Sequence, residues 1–438
     1  MPGFGKRKRS EQTPPPTPDK PAPHAERPAG TSDLSTVIVR RSAVTQAADP
    51  NNAYGLVEEV INFVNAMSSE GLYNRFEISA KAMAAYHADY YLGQVNNGGH
   101  SQFIHNCHSG LHLIMSDVRA GLTGMNATAH LSIFEQVAAW VAENADEASK
   151  QTGFEGGRAQ PLDELDTLFY QAEKTAPMIP LSARWIASWP ELKGVEDADY
   201  PEAIRASAMM NPRRKERMIA RSVAGLHRQM TDWLHVGAGL ACANMSPREF
   251  KLAIGGGSAM DVEGEQQLAF YVRTSGPAPR FCVVTKEHAA AYERVEVDNP
   301  PMPALGDVEG MKNAIRDGQL ARFKGPTVGR KLSHVKSQMI AGVIELANEY
   351  RAPEALDLLL RKAGIDPNGA AVTPMGIDAH PKGAVVNWLL AVENQAFFAM
   401  SVPGGSVLLR GEQKIASVRK AEIDEYALSV EAVEDKPA

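Results

Sequence analysis

Apolar side chains recur with helical spacing through the first half of the chain. Leu56, Val60 and Phe63 fall on one face of a helix, and residues 128–144 and 161–171 repeat that spacing. Pro212 suits the first turn of a further helix that extends to about residue 234. The pattern therefore predicts an all-helical domain over residues 50–240.

The pattern changes after residue 245 to short apolar runs separated by turn residues. Strands are predicted over residues 268–273, 280–285, 385–392, 396–402, 406–410 and 414–418, and helices over residues 331–349 and 353–363. Gly255, Gly256 and Gly257 lack the Lys-Ser/Thr pair of a phosphate-binding loop, so we interpret them as a flexible connector. Residues 246–438 are thus expected to form an α+β domain with an antiparallel sheet.

Composition places the chain among globular proteins of more than one domain. It has 438 residues, of which 44% are hydrophobic, and no apolar run is long enough to span a membrane. Residues 1–35 are rich in proline and basic side chains, which predicts a disordered tail. The three cysteines are widely spaced and fit neither a disulfide framework nor a zinc site, so a cytoplasmic setting is expected.

Charge is distributed unevenly along the chain. Residues 51–202 contain 20 acidic and 8 basic side chains, a balance of −12, whereas residues 203–228 contain one acid and 7 bases, a balance of +6. An acidic segment followed by a basic one indicates charge-complementary contact, either within the molecule or with a partner.

Residues 90–106 combine aromatic, amide and glycine side chains in an unusual order. Asn and Gly tolerate the left-handed backbone that ends a helix, so Asn96-Asn97-Gly98-Gly99 predicts a tight junction between two helices. We expect Gly98→Val to destabilise the domain, because a β-branched residue resists positive φ. The stretch resembles the signature of the bacterial DNA-mimic protein family. The matching positions are Tyr90, Val95, Asn96, Asn97, Gly98, Gly99, Gln102, Phe103 and Asn106.

The resemblance covers roughly residues 55–190 and departs from the family pattern at His100 and His105, which stand where aromatic residues are usual. It implies a helical fold and a non-enzymatic role, in which carboxylates imitate DNA phosphates and occupy a DNA-binding protein. Mimicry requires carboxylates on one surface at phosphate-like intervals. The candidate acids are Glu58, Glu59, Glu70, Glu77, Asp163, Glu164, Asp166 and Glu173.

Two other functions compete with mimicry. His105, His108 and His112 lie in a histidine-rich segment that begins at His100 and could bind a transition metal. The basic helix at residues 213–228 could bind nucleic acid, although it lacks interleaved aromatic side chains. No nucleophile motif is present, so the sequence predicts a non-enzymatic protein without a cofactor, and it leaves homodimer formation open.

Overall fold

The computed structural model describes residues 34–152, 157–299, 310, 312, 313, 316, 324–381 and 383–434. Except for Leu34 and Ser35, the predicted tail lies outside these residues. The chain forms two compact units whose boundary falls between Arg214 and Lys215. Among the described helices, none is both long and apolar enough to cross a membrane.

Where the structure describes it, the first unit is helical apart from one pair of short parallel strands. Its elements are β1 (Val37–Arg40), α1 (Arg41–Gln46), α2 (Ala53–Ser69), a 3-10 turn (Arg75–Glu77), α3 (Ala80–Cys107), a second 3-10 turn (His108–Gly110), α4 (Leu111–Gly124), α5 (Thr128–Glu143), α6 (Ala145–Ala148), α7 (Gln160–Thr175), α8 (Met178–Ala187), β2 (Leu192–Val195) and α9 (Tyr200–Met209). Val37 of β1 pairs with Leu192 of β2.

Two apolar clusters hold the first unit together. The first joins β1, α2, the start of α3 and α8, and it buries the Leu56, Val60 and Phe63 face completely. The second joins the rest of α3 to α4, α5 and α7. Because α3 contributes to both clusters, the geometry of this long helix determines how the two halves of the unit meet.

The second unit combines helices with two antiparallel sheets. Its elements are α10 (Arg214–Thr231), α11 (Trp233–Ala243), β3 (Lys251–Val262), β4 (Glu265–Thr274), β5 (Arg280–Val284), β6 (His288–Val295), β7 (Thr327–Lys336), α12 (Ser337–Glu349), α13 (Ala352–Lys362), β8 (Ala371–Asp378), β9 (Val385–Val392), β10 (Gln395–Val402), β11 (Gly405–Arg410), β12 (Gln413–Arg419) and α14 (Lys420–Glu434). Strands β3–β7 form one sheet in sequential order, and strands β8–β12 form the other.

The two sheets repeat one topology. In each half a helix precedes five sequential antiparallel strands and a second helix follows: α11, β3–β7 and α12, then α13, β8–β12 and α14. Beyond its first turn helix α11 is apolar on all sides and buried, and the helix packs against strands of both sheets. Its glycines permit that approach, since a Cβ on Gly239 would lie 2.6 Å from Pro374 Cδ.

The structure confirms the predicted fold class, a helical region followed by one with antiparallel sheets. The boundary differs from the expected one, because α10 and α11 bury their apolar side chains in the core of the second unit. Residues 331–336 belong to β7 and not to the predicted helix. Gly255–Gly257 form part of β3, beside an irregularity in its pairing with β4, and are therefore not a connector.

Candidate functional site

The Asn-Asn-Gly-Gly segment lies within α3 and bends it. Hydrogen bonding runs from Ala80 to Cys107, but Gly98 (φ −152°, ψ 21°) and Gly99 (φ 76°, ψ −175°) are not helical. The segment is therefore a kink that joins two helical stretches. Positive φ occurs at Gly99, so the expectation that Gly98 adopts it was wrong.

A buried carboxylate on α7 holds the residue that follows the kink. Asp166 Oδ1 accepts hydrogen bonds from the His100 backbone N–H, at 2.8 Å, and pairs with His100 Nδ1 at 2.5 Å. The other ring nitrogen, Nε2, lies 2.8 Å from the Tyr91 hydroxyl. A neutral imidazole with its proton on Nδ1 satisfies both contacts, because Nε2 is then free to accept from the tyrosine.

Arg158 completes this network from the opposite side. One guanidinium nitrogen donates to Asp166 Oδ2 at 2.6 Å, and another donates to the Gly98 carbonyl at 3.0 Å. The Tyr170 hydroxyl donates to the Val95 carbonyl at 2.8 Å. Since a kink frees backbone carbonyls from the helix, these two side chains supply hydrogen bonds that the helix itself lacks.

The network lies in an aromatic core. The Tyr91 ring makes edge-on contacts with Phe103, Phe134 and Phe169, at centroid distances of 5.0, 5.3 and 5.5 Å. Burial, and then the negative charges of Asp166 and Glu173, raise the pKa of Tyr91 well above its usual value, so the hydroxyl stays protonated. Because Tyr91 and His100 have no exposed surface, we interpret the network as structural.

Two amides of the signature link the two helical stretches of α3. Asn96 and Asn97 are exposed. Gln102 and Asn106 instead donate to Gln94 Oε1, at 3.0 and 2.6 Å, and so link the helix before the kink to the helix after it.

Gly99→Ala should destabilise the first unit more than Gly98→Ala. A left-handed backbone costs an L-residue about 1–2 kcal/mol, and a Cβ on Gly99 would lie 2.0 Å from the buried Asp166 carboxylate. The three atoms nearest to a Cβ on Gly98 all belong to the Gln102 side chain, whose amide end can move away. Denaturant-dependent hydrogen exchange in α3 and α7 peptides measures the stability of the first unit in both variants. A larger loss of stability for Gly98→Ala than for Gly99→Ala would contradict the placement of the positive φ at Gly99.

Four of the eight predicted surface acids have structural roles. Glu59 is buried and pairs with Arg40 at the end of β1. Glu77 is buried and forms a capping box with Asn74. Asp166 belongs to the kink network. Glu173 is partly buried and accepts from the Met178 backbone N–H at 2.9 Å, at the start of α8. The prediction that these acids belong to an interaction surface was wrong for the three buried ones.

The other four predicted acids are exposed: Glu58, Glu70, Asp163 and Glu164. Two of them lie in a larger group. His130 near the start of α5 lies 2.9 Å from Glu173 near the end of α7. At the opposite end Gln151, which follows α6, accepts a hydrogen bond from the Ala159 backbone N–H before α7 at 3.1 Å, so α5 and α7 run antiparallel. The end of α5 and the short α6 are therefore close to the start of α7.

This arrangement brings two of the predicted acids together with three exposed acids that were not predicted from the sequence. We call the group the acidic edge, and its members are Glu143, Asp146, Glu147, Asp163 and Glu164. Asp163 is paired with Arg158 at 2.8 Å. Residues 143–164 contain six acidic and two basic side chains, which gives this end of the unit a net negative charge.

The histidine segment does not form the proposed metal site. His105 Nδ1 lies 2.7 Å from the Gln151 carbonyl oxygen, and its ring contacts His108 edge-on at a centroid distance of 5.3 Å. His108 and His112 are exposed. In the part of the chain that the structure describes, no three His, Cys, Asp or Glu side chains are arranged to hold a metal ion.

One protein-family model matches the segment that contains the kink and the acidic edge. Residues 76–189 match the model of the DMP19-like protein family. The matched DMP19-like segment runs from the first 3-10 turn through α8, so the kink network, its aromatic core and all five acids of the acidic edge lie inside it. The searches of curated proteins and of solved structures gave no match.

Proposed function

We propose that the DMP19-like segment is a protein-interaction domain whose acidic edge occupies the DNA-binding surface of a basic protein. The observation that carries the proposal is the exposure of five carboxylates at one end of a segment that matches this family. DNA-binding surfaces respond chiefly to phosphate charge, so a surface of carboxylates can compete for them.

The kink network supports this function indirectly. It fixes the start of α7 against α3 through Asp166 and Arg158, and Arg158 also contacts Asp163 on the acidic edge. Charges held on a rigid framework lose less conformational entropy on binding than charges on mobile loops. The other four acids of the acidic edge, Glu143, Asp146, Glu147 and Glu164, form no ion pair among the described residues and are exposed.

The test is a competition for DNA. The full chain, immobilised, captures proteins from lysate, and a captured DNA-binding protein is then purified and bound to a labelled duplex. Adding the full chain should displace the duplex, and raising the salt concentration should weaken the capture, because exposed charges are screened beyond about 10 Å at 0.1 M salt.

Variants that remove acidic side chains test whether the acidic edge is the binding surface. The variant carrying Glu143→Gln, Asp146→Asn, Glu147→Gln and Glu164→Gln should weaken displacement at least about tenfold, because each removed charge is a lost phosphate-like contact. A control with equal charge loss replaces exposed acids elsewhere: Glu58→Gln, Glu70→Gln, Asp199→Asn and Glu202→Gln. Equal effects of the two variants would reject the acidic edge as the binding surface, and capture of proteins whose DNA binding is unaffected would reject mimicry.

A further inference from the structure

The second unit contains a basic cavity that the proposed function does not use. Its volume is about 400 Å³, within the range of sites for small molecules. It is formed by one face of α10, the start of β3 and the loop before β8. The residues that line it include Arg221, Arg228, His235 and Lys251, and no acidic residue lies among them.

Lys251 gives the cavity its most unusual feature. The side chain is 2% exposed, yet no described carboxylate lies within ion-pairing distance of its ammonium group and no described atom accepts a hydrogen bond from it. A buried, unpaired charge is costly for a folded protein. Buried lysines without a partner are therefore expected where a ligand supplies the missing negative charge.

The side chain of Lys251 runs along the face of α11 that borders the cavity. Its Cε lies 3.6 Å from the position of a Cβ on Gly239. His235, which lines the cavity, is four residues earlier on the same helix and so shares that face. Asp232, at the start of α11, is engaged by His235 Nδ1 at 2.8 Å and does not line the cavity.

Helix α10 adds permanent positive charge. Arg221 and Arg228 are seven residues apart, which places them on one face, and both line the cavity. Two arginines of the basic helix predicted from the sequence thus face this cavity. Leu226, Ile254 and Pro367 line the same cavity and supply apolar surface beside the charges.

We infer that this cavity binds a small phosphorylated metabolite, with the phosphate between Lys251 and Arg228 and an organic group against the apolar wall. Lys251 and Arg228, in a cavity whose described lining contains no acidic residue, favour an oxyanion of high charge, since charge-assisted hydrogen bonds to phosphate are among the strongest in proteins. The apolar wall favours a phosphate ester over the free ion.

Isothermal titration calorimetry of the full chain tests this inference with adenosine monophosphate, ribose 5-phosphate, inorganic phosphate and uncharged ribose as probes. At least one ester should bind saturably and more tightly than inorganic phosphate, and ribose should not bind. Lys251→Met and Arg228→Met should each weaken ester binding roughly 10- to 100-fold, as expected for the loss of a charge-assisted hydrogen bond.

Two controls make the result decisive. Lys286→Met removes the same charge from an exposed site outside the cavity and should leave ester binding unchanged. Circular dichroism shows whether each variant is folded. The inference is overturned if no phosphate ester binds, or if Lys251→Met binds as the parent chain does. It is also overturned if duplex DNA binds with the same dependence on Lys251 while the esters do not, because the site would then belong to a nucleic-acid surface.

Discussion

Asp166→Ala should lower the free energy of unfolding of the first unit by about 3–5 kcal/mol, the range for breaking a buried ion pair from one side. The carboxylate is 4% exposed and holds the His100 backbone, the His100 ring and the Arg158 guanidinium. Loss of the carboxylate leaves the buried His100 N–H groups without an acceptor and the partly buried Arg158 guanidinium without this counter-charge. Denaturant-dependent hydrogen exchange in peptides from α3 and α7 measures the change in this unit alone.

Asp163→Ala is the matched control for that experiment. Asp163 lies on the same helix and pairs with the same arginine at 2.8 Å, but its side chain is 48% exposed. Pairs exposed to solvent contribute at most about 1 kcal/mol. Similar losses of unfolding free energy in Asp166→Ala and Asp163→Ala would mean that the network around the kink does not stabilise the unit as its geometry indicates.

The existence of the kink could be predicted from the sequence, but the backbone conformation of each glycine could not. Two amides and two glycines indicated a junction between helices, because their local backbone preferences do not depend on the rest of the fold. Which glycine adopts positive φ depends on Asp166 and Arg158, which are more than 50 residues away in the chain. Contacts of that kind arise from tertiary packing, so neither side chain could be assigned to the kink from spacing.

The acids show a related limit. The net charge of the segment follows from its composition. The side of a helix on which a carboxylate lies does not, unless a clear apolar pattern marks the buried face. Glu59 and Glu77 are buried because each satisfies a backbone or arginine donor. Asp146 and Glu147 were overlooked because their short helix, α6, was not predicted. The surface emerges only when α5 and α7 are seen to be antiparallel.

Strands of the second unit were missed for reasons of composition. Strand β6 contains three consecutive alanines, which favour helices, and β7 carries charged residues at exposed positions. Both are strands because hydrogen bonding to their neighbours in the sheet outweighs local preference. The repeated topology of the two sheets is likewise visible in the strand order and not in the residues.

Lys251→Met should stabilise the second unit at neutral pH by up to about 3 kcal/mol. Burial lowers the pKa of Lys251 from 10.5 to about 8. Cys242, Asp232 and Cys282 act in the opposite direction and offset only part of that shift. Below pH 8 the amine is protonated in both the folded and the unfolded chain, so the folded state bears the full cost of the buried charge. That cost corresponds to about 1.4 kcal/mol for each unit of pKa shift. Methionine has a similar length and no charge to desolvate.

The pH dependence distinguishes this cause from a change in packing. Between pH 8 and 10.5 the unfolded chain binds more protons at this lysine than the folded chain does, so the stability of the parent chain gains a rising contribution as the pH increases. Lys251→Met lacks that contribution, and its advantage should therefore shrink over the same interval, whereas Lys286→Met should follow the parent chain. Hydrogen exchange in α11 and β3 peptides at about pH 7 and pH 9.5, corrected for the intrinsic exchange rate, measures the difference. A Lys251→Met variant that is less stable than the parent at pH 7 would show that the folded chain already supplies a counter-charge, and the cavity would then not require an anion.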